Sequence, residues 1–293
     1  MVYPVLFKIG PLEFHSYVVM LSLAFLLGVF LFFRRNERRE HPFPVTPMGA
    51  LWIFLGILLG SKIYYVIEYG DWSQVAGIWR VWEGGLVSLG GIIGGMTAGI
   101  IYIWWAGAPV RAVADMALLN VPLCHAVGRI GCFLNGCCYG APTSMPWGLH
   151  YPPPPADVTP VPANTHDYLL YEHVEAGLVE ADAAHPLAVH PTPIYSAIGL
   201  VLVFAVLLYC YPRRRFDGAF LILYPGLYGA MRFVVEFFRG DTPDVMGGFS
   251  RTQLVCLALA VAAAVVYPAM AYAVQSNKNA QMPPGVDSGP GEC

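Results

Sequence analysis

Seven long apolar stretches divide this chain and limit its fold more than any other feature of the sequence. They cover residues 16–33, 48–67, 86–105, 115–134, 193–211, 218–237 and 252–272. An α-helix needs roughly 20 apolar residues to cross a hydrocarbon layer about 30 Å thick. Lipid offers no hydrogen bonds to the backbone, so a crossing segment must satisfy its own polar groups as a helix. The sequence therefore predicts an all-α polytopic membrane protein with about seven transmembrane helices.

Charge is scarce, which agrees with a membrane environment. Charged residues make up 12% of the chain, whereas an average soluble domain has about 25%. The formal net charge is −3, and a nucleic-acid partner would require a basic face. We expect membrane lipids as neighbours and no nucleic acid.

Loop charges predict the orientation, because short cytoplasmic loops collect Lys and Arg. One side of the membrane receives most of the basic residues: Arg34, Arg35, Arg38, Arg39, Arg111, Arg213, Arg214, Arg215 and Lys278. The other side has Lys8, Arg80, Arg239 and Arg251. We therefore expect the N-terminus outside, the C-terminus inside, and the end of the fourth span at the outer face.

The domain organisation is predicted to be simple. Residues 1–275 form one transmembrane domain, and 135–191 form an outer-face loop region rich in proline. Within that loop, 168–179 is a candidate surface helix capped by Asn164 or Thr165. The segment 276–293 has almost no large apolar residue, which predicts a disordered cytoplasmic tail.

Arg129 is the first charged residue that would be costly to bury in a membrane. It ends the fourth apolar stretch between Gly128 and Gly131. Glycines remove side-chain bulk and let a ligand or another backbone approach closely. A guanidinium can bind a phosphodiester through two parallel hydrogen bonds. These residues predict a receptor for an anionic lipid headgroup.

A second set of charges lies in the later spans. Arg232 and Glu236 are four residues apart, so they share one face of a helix and can pair. Two arginines from different helices would then converge on one anion, with Glu236 orienting Arg232. In the second span, Lys62 either neutralises Glu68 or joins the headgroup site. His15 and Tyr17 lie where interfacial aromatic side chains are common.

Several ordered motifs resemble those of one family. Residues 128–140 read Gly-Arg-Ile-Gly-Cys-Phe-Leu-Asn-Gly-Cys-Cys-Tyr-Gly and resemble the signature Gly-Arg-x-Gly-Asn-Phe-x-Asn-x-Glu-x-x-Gly of the bacterial prolipoprotein diacylglyceryl transferases. Residues 190–195 are similar to that family's His-Pro-Ser-Gln-Leu-Tyr. Residues 228–239 resemble its Tyr-Gly-x-x-Arg-x-x-x-Glu-Phe-Phe-Arg. Residues 9–20 resemble the segment with its His-x-Tyr, and 81–91 the one with its Trp-Asp-Gly-Gly.

The resemblance implies a multi-pass enzyme of the bacterial inner membrane. Such enzymes move the diacylglyceryl group of phosphatidylglycerol to the thiol of a cysteine just after a prolipoprotein's signal sequence, releasing glycerol phosphate. No cofactor is implied. The positions that match the family's motifs imply the following roles. Arg129 and Arg232 would hold the phosphate, and Glu236 would orient Arg232. The reaction centre would be lined by Asn135, Gly140 and Tyr17.

The chain also departs from the family pattern. Cys132 and Cys137 replace an asparagine and a glutamate, Lys62 replaces an arginine, and Ser196 stands where a glutamate is usual. Leu89 replaces the histidine often discussed as a base.

The general base is therefore left open among three histidines, His15, His125 and His190. Our candidate substrate-binding residues are Arg129, Arg232, Gly140, His15, Lys62 and His190.

The cysteines offer a competing interpretation. Cys124, Cys132, Cys137 and Cys138 lie close together in the sequence, beside His125. A thiol-redox or metal-binding protein is one alternative, and a non-catalytic phospholipid-binding relative is another. The spacing lacks compact Cys-x-x-Cys pairs, so we expect no metal. A disulfide from Cys132 to Cys137 or Cys138 would brace the loop after the fourth span.

Overall fold

The computed structural model describes residues 3, 5–10, 12–70, 87–151, 169–180, 183, 185–240 and 244–281. Helices dominate this part of the chain. They are α1 (Ser16–Glu37), α2 (Met48–Tyr69), α3 (Ser88–Trp105), α4 (Val110–Asn135), α5 (Leu169–Glu175), α6 (Thr192–Cys210), α7 (Phe220–Glu236) and α8 (Arg251–Gln281). Short antiparallel strands form two hairpins, β1 (Val5–Ile9) with β2 (Leu12–His15) and β3 (Asp244–Met246) with β4 (Phe249–Ser250).

Each of the seven predicted apolar stretches contains a helix, which confirms the all-α polytopic fold. Among the described residues, six helices are long and apolar enough to cross a membrane: α1, α2, α3, α4, α6 with the turn that follows it, and α8. The remaining one, α7, has 17 residues, which lies at the short end of the range for a spanning helix. The orientation stays a prediction.

The chain forms two compact units, residues 28–117 and residues 1–27 with 118–293. In the first of these, α2 and α3 pack through glycines. Gly56 and Gly60 face Gly90 and Gly94, so that a Cβ atom at Gly94 would collide with the carbonyl oxygen of Gly56. Both helices carry the Gly-x-x-x-Gly spacing, which lets backbones approach closely in lipid. This contact between α2 and α3, the glycine seam, depends on the absence of side chains at the four glycines.

A polar contact closes the other end of the same pair of helices. The hydroxyl of Tyr102 in α3 accepts a hydrogen bond from the backbone N–H of Thr46 (3.0 Å) and lies 2.9 Å from its Oγ1. The Tyr102 ring covers Gly49, where a Cβ atom would come 2.7 Å from ring carbon Cδ1. Gly49 is therefore small for the same reason as the seam glycines.

The second unit, residues 1–27 with 118–293, contains the charged motifs. Leu119 of α4 is buried with Val203 and Leu207 of α6 and with Phe220 at the start of α7. Helix α8 packs on α7 at Gly226 and Gly229, where Cβ atoms would collide with Ala263 or come 2.6 Å from the carbonyl oxygen of Cys256. Helix α7 thus packs against α4 and α6 through large apolar side chains and against α8 through glycines.

The described part of the loop region of residues 135–191 contains regular structure. The predicted surface helix is confirmed as Leu169–Glu175, while its candidate caps Asn164 and Thr165 lie outside the described residues. Tyr151, Leu169 and Val189 form a small buried cluster in this loop. Helix α8 runs to Gln281, into the segment predicted as a tail, and residues 282–293 lie outside the described residues.

The glycine seam gives the first prediction. Gly94→Ala should lower the thermal stability of the purified protein by several degrees, because the new methyl group has no space against Gly56. Gly99→Ala is the matched control, since its Cβ atom would meet Ile53 side-chain carbons at 3.4 and 3.5 Å, an ordinary contact. Thermal unfolding in detergent compares the two variants, and equal melting temperatures would contradict the seam's importance.

Candidate active site

The end of α4 is built by a turn that sends the chain back over its own last residues. Gly136 has a φ of +74°, its N–H bonds to the carbonyl of Phe133 (3.2 Å), and the Cys137 N–H bonds to the carbonyl of Cys132 (3.1 Å). This is the Schellman pattern, which favours glycine at the left-handed position. It returns residue 137 to the side of residue 132.

Three thiols meet at this turn. The Sγ atoms of Cys132, Cys137 and Cys138 all lie within 4.8 Å of one another. All three cysteines are free in the structure, so the predicted disulfide is not formed there. Cys138 has a φ of +61°, an unusual conformation for a residue with a Cβ atom. Hydrogen bonds from the Cys132 and Cys137 side chains lower the pKa of the Cys138 thiol from its ordinary value.

The two predicted arginines come from different helices and lie near each other. Arg129 of α4 and Arg232 of α7 are close enough for their charges to repel. His125, one turn before Arg129, lies within electrostatic range of both guanidinium groups and stacks on Tyr228 with ring centroids 5.6 Å apart. Two guanidinium groups within electrostatic range of each other favour the binding of an anion.

Tyr17 reaches the same place from α1. Its side chain lies within electrostatic range of Arg129 and of the three thiols. The N-terminal segment holds α1 here, because the Tyr3 N–H bonds to the carbonyl of Leu134 (2.9 Å) and the Ser16 hydroxyl donates to the Tyr3 carbonyl. Gly131 completes the contact, since its Cβ atom would come 2.9 Å from the Met20 side chain.

The glycines beside Arg129 do different things. Gly131 lets α1 approach α4, as expected of a glycine that admits another backbone. A Cβ atom at Gly128 would meet nothing within 4 Å. The open side of Gly128 leaves room beside Arg129.

Glu236 is paired and held from a second direction. Its Oε2 lies 2.5 Å from Nη2 of Arg232, with 1% of the Glu236 side chain and 13% of the Arg232 side chain exposed. Its Oε1 accepts a hydrogen bond from the hydroxyl of Ser250 (3.4 Å). The pairing predicted from the i, i+4 spacing is therefore present in the structure.

Ser250 also begins α8, a role that the sequence analysis missed. Its Oγ accepts the N–H of Gln253 (3.1 Å), and its own N–H donates to Oε1 of Gln253 (2.8 Å). This reciprocal arrangement is a capping box. The signal in the sequence was Ser-x-x-Gln before an apolar run, preceded by Gly247-Gly248, whose φ angles of +62° and +80° suit a two-residue hairpin turn.

Gly140 lies where three segments cross. Its N–H bonds to the carbonyl of His190 (2.9 Å), and a Cβ atom on it would collide with the carbonyl oxygen of Phe238 and come 2.6 Å from Cγ2 of Thr192. The Thr192 hydroxyl donates to the carbonyl of Cys138 (2.5 Å). These bonds tie the turn after α4 to the start of α6 and the end of α7.

The remaining predicted residues lie in several environments. Nδ1 of His190 lies 3.1 Å from the Tyr195 hydroxyl, and His15 is exposed at the end of β2. The Asn135 side chain hydrogen-bonds to Cys137. Lys62 is 1% exposed in the unit of residues 28–117, with Nζ 5.7 Å from the Tyr65 ring centroid. Leu89 lies in the same unit.

Helix α5 and the residues that pack against it lie next to the turn after α4. Tyr139 donates to Oε2 of Glu172 in α5 (2.9 Å), and burial raises the pKa of Tyr151 to about 12. His173 is buried, and its Nδ1 accepts the N–H of Leu187 (3.1 Å). Burial lowers the pKa of His173 below its ordinary value.

Comparison with known proteins gives the family. The family model described as prolipoprotein diacylglyceryl transferase matches residues 4–268. Three relatives are named phosphatidylglycerol–prolipoprotein diacylglyceryl transferase. The Clostridium tetani protein is 31% identical over 87% of this chain and 92% of its own. The Nitratidesulfovibrio vulgaris protein is 32% identical over 87% and 89%, and the Methylococcus capsulatus protein is 30% identical over 93% and 97%.

The chain therefore belongs to the prolipoprotein diacylglyceryl transferase family, a family of membrane transferases. The match confirms the resemblance drawn from the motifs.

The capping box gives the second prediction. Ser250→Ala should lower the free energy of unfolding by about 1 kcal/mol, the usual effect of losing an N-cap, and should leave Glu236 with Arg232 as its remaining partner among the contacts described. Ser250→Thr keeps the hydroxyl and should restore most of the stability. Chemical denaturation in detergent measures both. A threonine variant as unstable as the alanine variant would contradict the capping role.

His173 gives a prediction about pH. Its lowered pKa means that the unfolded loop binds the proton more readily, so the stabilisation is complete above the unfolded pKa of about 6.5 and is lost as the pH falls below it. Hydrogen exchange of residues 169–180, corrected for intrinsic rates, should show less protection at pH 5 than at pH 7.5. His173→Gln should remove this pH dependence, and exposed His150→Gln should leave it unchanged.

Proposed function

We propose that this protein transfers the diacylglyceryl group of phosphatidylglycerol to the thiol of a prolipoprotein's lipobox cysteine. In this reaction the acceptor sulfur forms a bond to a glyceryl carbon as the bond from that carbon to the phosphate oxygen breaks. The thiol proton is lost, and glycerol phosphate leaves with the bonding electrons. The observation that carries the proposal is the approach of Arg129 and Arg232 to each other from different helices.

Two neighbouring guanidinium groups suit this reaction because negative charge grows on the departing phosphate. Fixed cations in a site of low dielectric stabilise such charge strongly and need no reorganisation during the reaction. Without an anion the two cations repel, so a bound phosphodiester relieves that repulsion. We assign Arg129 and Arg232 to the phosphate on this basis.

Glu236 acts as a positioning residue in this proposal. Its Oε2 fixes one side of Arg232, and Ser250 fixes its Oε1. A buried ion pair is sustained when the remaining polar atoms are also bonded. The guanidinium of Arg232 is thus restrained in direction while its other nitrogens can reach a ligand.

The remaining assignments follow from position. Tyr17 lies near Arg129 and the thiols, and Asn135 lies beside Cys137, so both are proposed to line the reaction centre. The backbone crossing at Gly140 fixes the turn that carries Asn135. Among the three candidate bases, His125 lies within electrostatic range of both arginines, whereas His190 is hydrogen-bonded to Tyr195 of α6.

The partners follow from the same chemistry. The donor reaches the site from the lipid phase, and the open side of Gly128 leaves space next to Arg129. The acceptor is the segment after the signal sequence of a secreted protein. With the predicted orientation, the site lies at the outer face of the bacterial inner membrane.

The arginines give the fourth prediction. Arg129→Ala and Arg232→Ala should each lower transfer by about 100-fold or more, the effect expected when one donor to a developing anion is removed. Arg111→Ala is the matched control, because Arg111 is an exposed arginine of the same helix as Arg129. Mass measurement of a lipobox peptide, expressed in cells depleted of their own transferase, reports the transfer.

The outcome is decided by activity measured alongside folding. Each variant should keep the melting temperature of the wild type within a few degrees, so that lost activity is not lost structure. Full transfer by either alanine variant would contradict the phosphate assignment. Loss of transfer in Arg111→Ala as well would show that the assay responds to arginine removal in general.

A further inference from the structure

Cys132, Cys137 and Cys138 form a cluster that the proposed transfer does not use. Their Sγ atoms lie within 4.8 Å of one another, and all three thiols are free. Within the described part of the chain, the cluster includes no histidine or carboxylate. Three thiols from one turn are an uncommon arrangement, and thiolates are ligands that zinc and other soft metal ions prefer.

The spacing fits tetrahedral zinc. A Zn–S bond is about 2.3 Å long, so two sulfurs on one tetrahedral zinc lie about 3.8 Å apart. The sulfurs here need to move together by about 1 Å at most to reach that separation. Three sulfurs around one ion leave a fourth position for water or another ligand, as in zinc sites that have three protein ligands.

The backbone explains why these residues meet. In the turn after α4, residues 132 and 137 are the pair that the Schellman motif places side by side, and the bond from the Cys137 N–H to the Cys132 carbonyl holds them there. The left-handed φ of Cys138 and the Thr192 hydroxyl on its carbonyl fix the third residue. The spacing Cys-x-x-x-x-Cys-Cys suggested a pair of neighbouring thiols, and the structure brings all three together.

The surroundings favour a bound thiolate set. Three thiolates with one Zn²⁺ carry a net charge of −1, and the guanidinium groups of Arg129 and Arg239 lie within electrostatic range of Cys138. The Asn135 side chain hydrogen-bonds to Cys137. Hydrogen bonds to ligand atoms from neighbouring side chains orient metal ligands and tune the site.

We infer that Cys132, Cys137 and Cys138 form a binding site for a thiophilic metal ion, with Zn²⁺ as the ion that fits, bound through three thiolates with one position left for an outside ligand. On binding, the three thiols release their protons to solvent and no electron is transferred. This inference departs from the sequence-based expectation of no metal.

Cobalt provides a direct spectroscopic test. The full-length protein, reduced and stripped of metal by a chelator in detergent, is titrated with Co²⁺ and then with Zn²⁺. We expect one equivalent of Co²⁺ to give thiolate-to-cobalt charge-transfer absorption and intense tetrahedral d–d bands, which Zn²⁺ then removes. Absence of charge-transfer absorption would overturn the site.

Single substitutions locate the ligands. Cys132→Ser, Cys137→Ser and Cys138→Ser should each weaken Co²⁺ affinity at least tenfold. Cys124→Ser and Cys210→Ser, at free cysteines outside the cluster, should leave it unchanged. Unchanged affinity in the cluster variants would overturn the assignment.

A measurement on the wild type alone removes the dependence on how variants fold. Zn²⁺ should protect three thiols from maleimide labelling, and peptide mass mapping should place all three at 132, 137 and 138. Equal labelling with and without Zn²⁺ would contradict the inference. So would a disulfide within the cluster that forms in air and persists when Zn²⁺ is present. Neither readout uses lipid transfer, so each is independent of the proposed function.

Discussion

The ion pair between Arg232 and Glu236 is the interaction on which the charged end of this structure depends. An isolated carboxylate at this depth would be costly, because water is largely excluded from it. Glu236 avoids that cost by pairing with Arg232 on one side and accepting the Ser250 hydroxyl on the other. Since Ser250 also caps α8, the same hydroxyl joins the start of one helix to the charge on another. The position of Arg232 relative to Arg129 follows from this arrangement.

The turn after α4 performs the corresponding task for Arg129. Gly136 ends the helix, Gly140 admits the backbone of Phe238, and Thr192 bonds to Cys138. Together these contacts fix the end of α4 against α6 and α7. The N-terminal hairpin adds Tyr17 through the Tyr3 bond to Leu134. Short backbone contacts, rather than long side chains, hold the ends of α4 and α7, which carry the charged groups, in place.

Sequence reasoning succeeded where the physics is local. The apolar stretches gave the helices because lipid leaves few alternatives, and the four-residue spacing gave the Arg232–Glu236 pair because it is set by helix geometry. The convergence of Arg129 and Arg232 was predicted because a cation is costly in a membrane unless it binds an anion. The roles of these residues in catalysis stay predictions.

The features that the sequence analysis did not predict depend on contacts between distant segments or on residues in the left-handed backbone conformation. The sequence suggested that Cys132 could pair with Cys137 or Cys138, but the close approach of all three sulfurs requires the left-handed residues 136 and 138. The link from Ser250 to Glu236 requires the β3–β4 hairpin. Ser-x-x-Gln and Gly-Gly were visible in the sequence as signals of a helix start and a turn, but neither indicates which carboxylate the serine will reach.

The place of Ser250 in the chain has a consequence for biosynthesis. Ser250 caps the start of α8, so during synthesis Glu236 and Arg232 are translated before the serine that bonds to Glu236. A ribosome-bound intermediate with seven helices, α1 to α7, therefore contains both arginines but lacks the group that steadies the carboxylate. The two contacts of Glu236 are therefore completed only after α8 has begun to form.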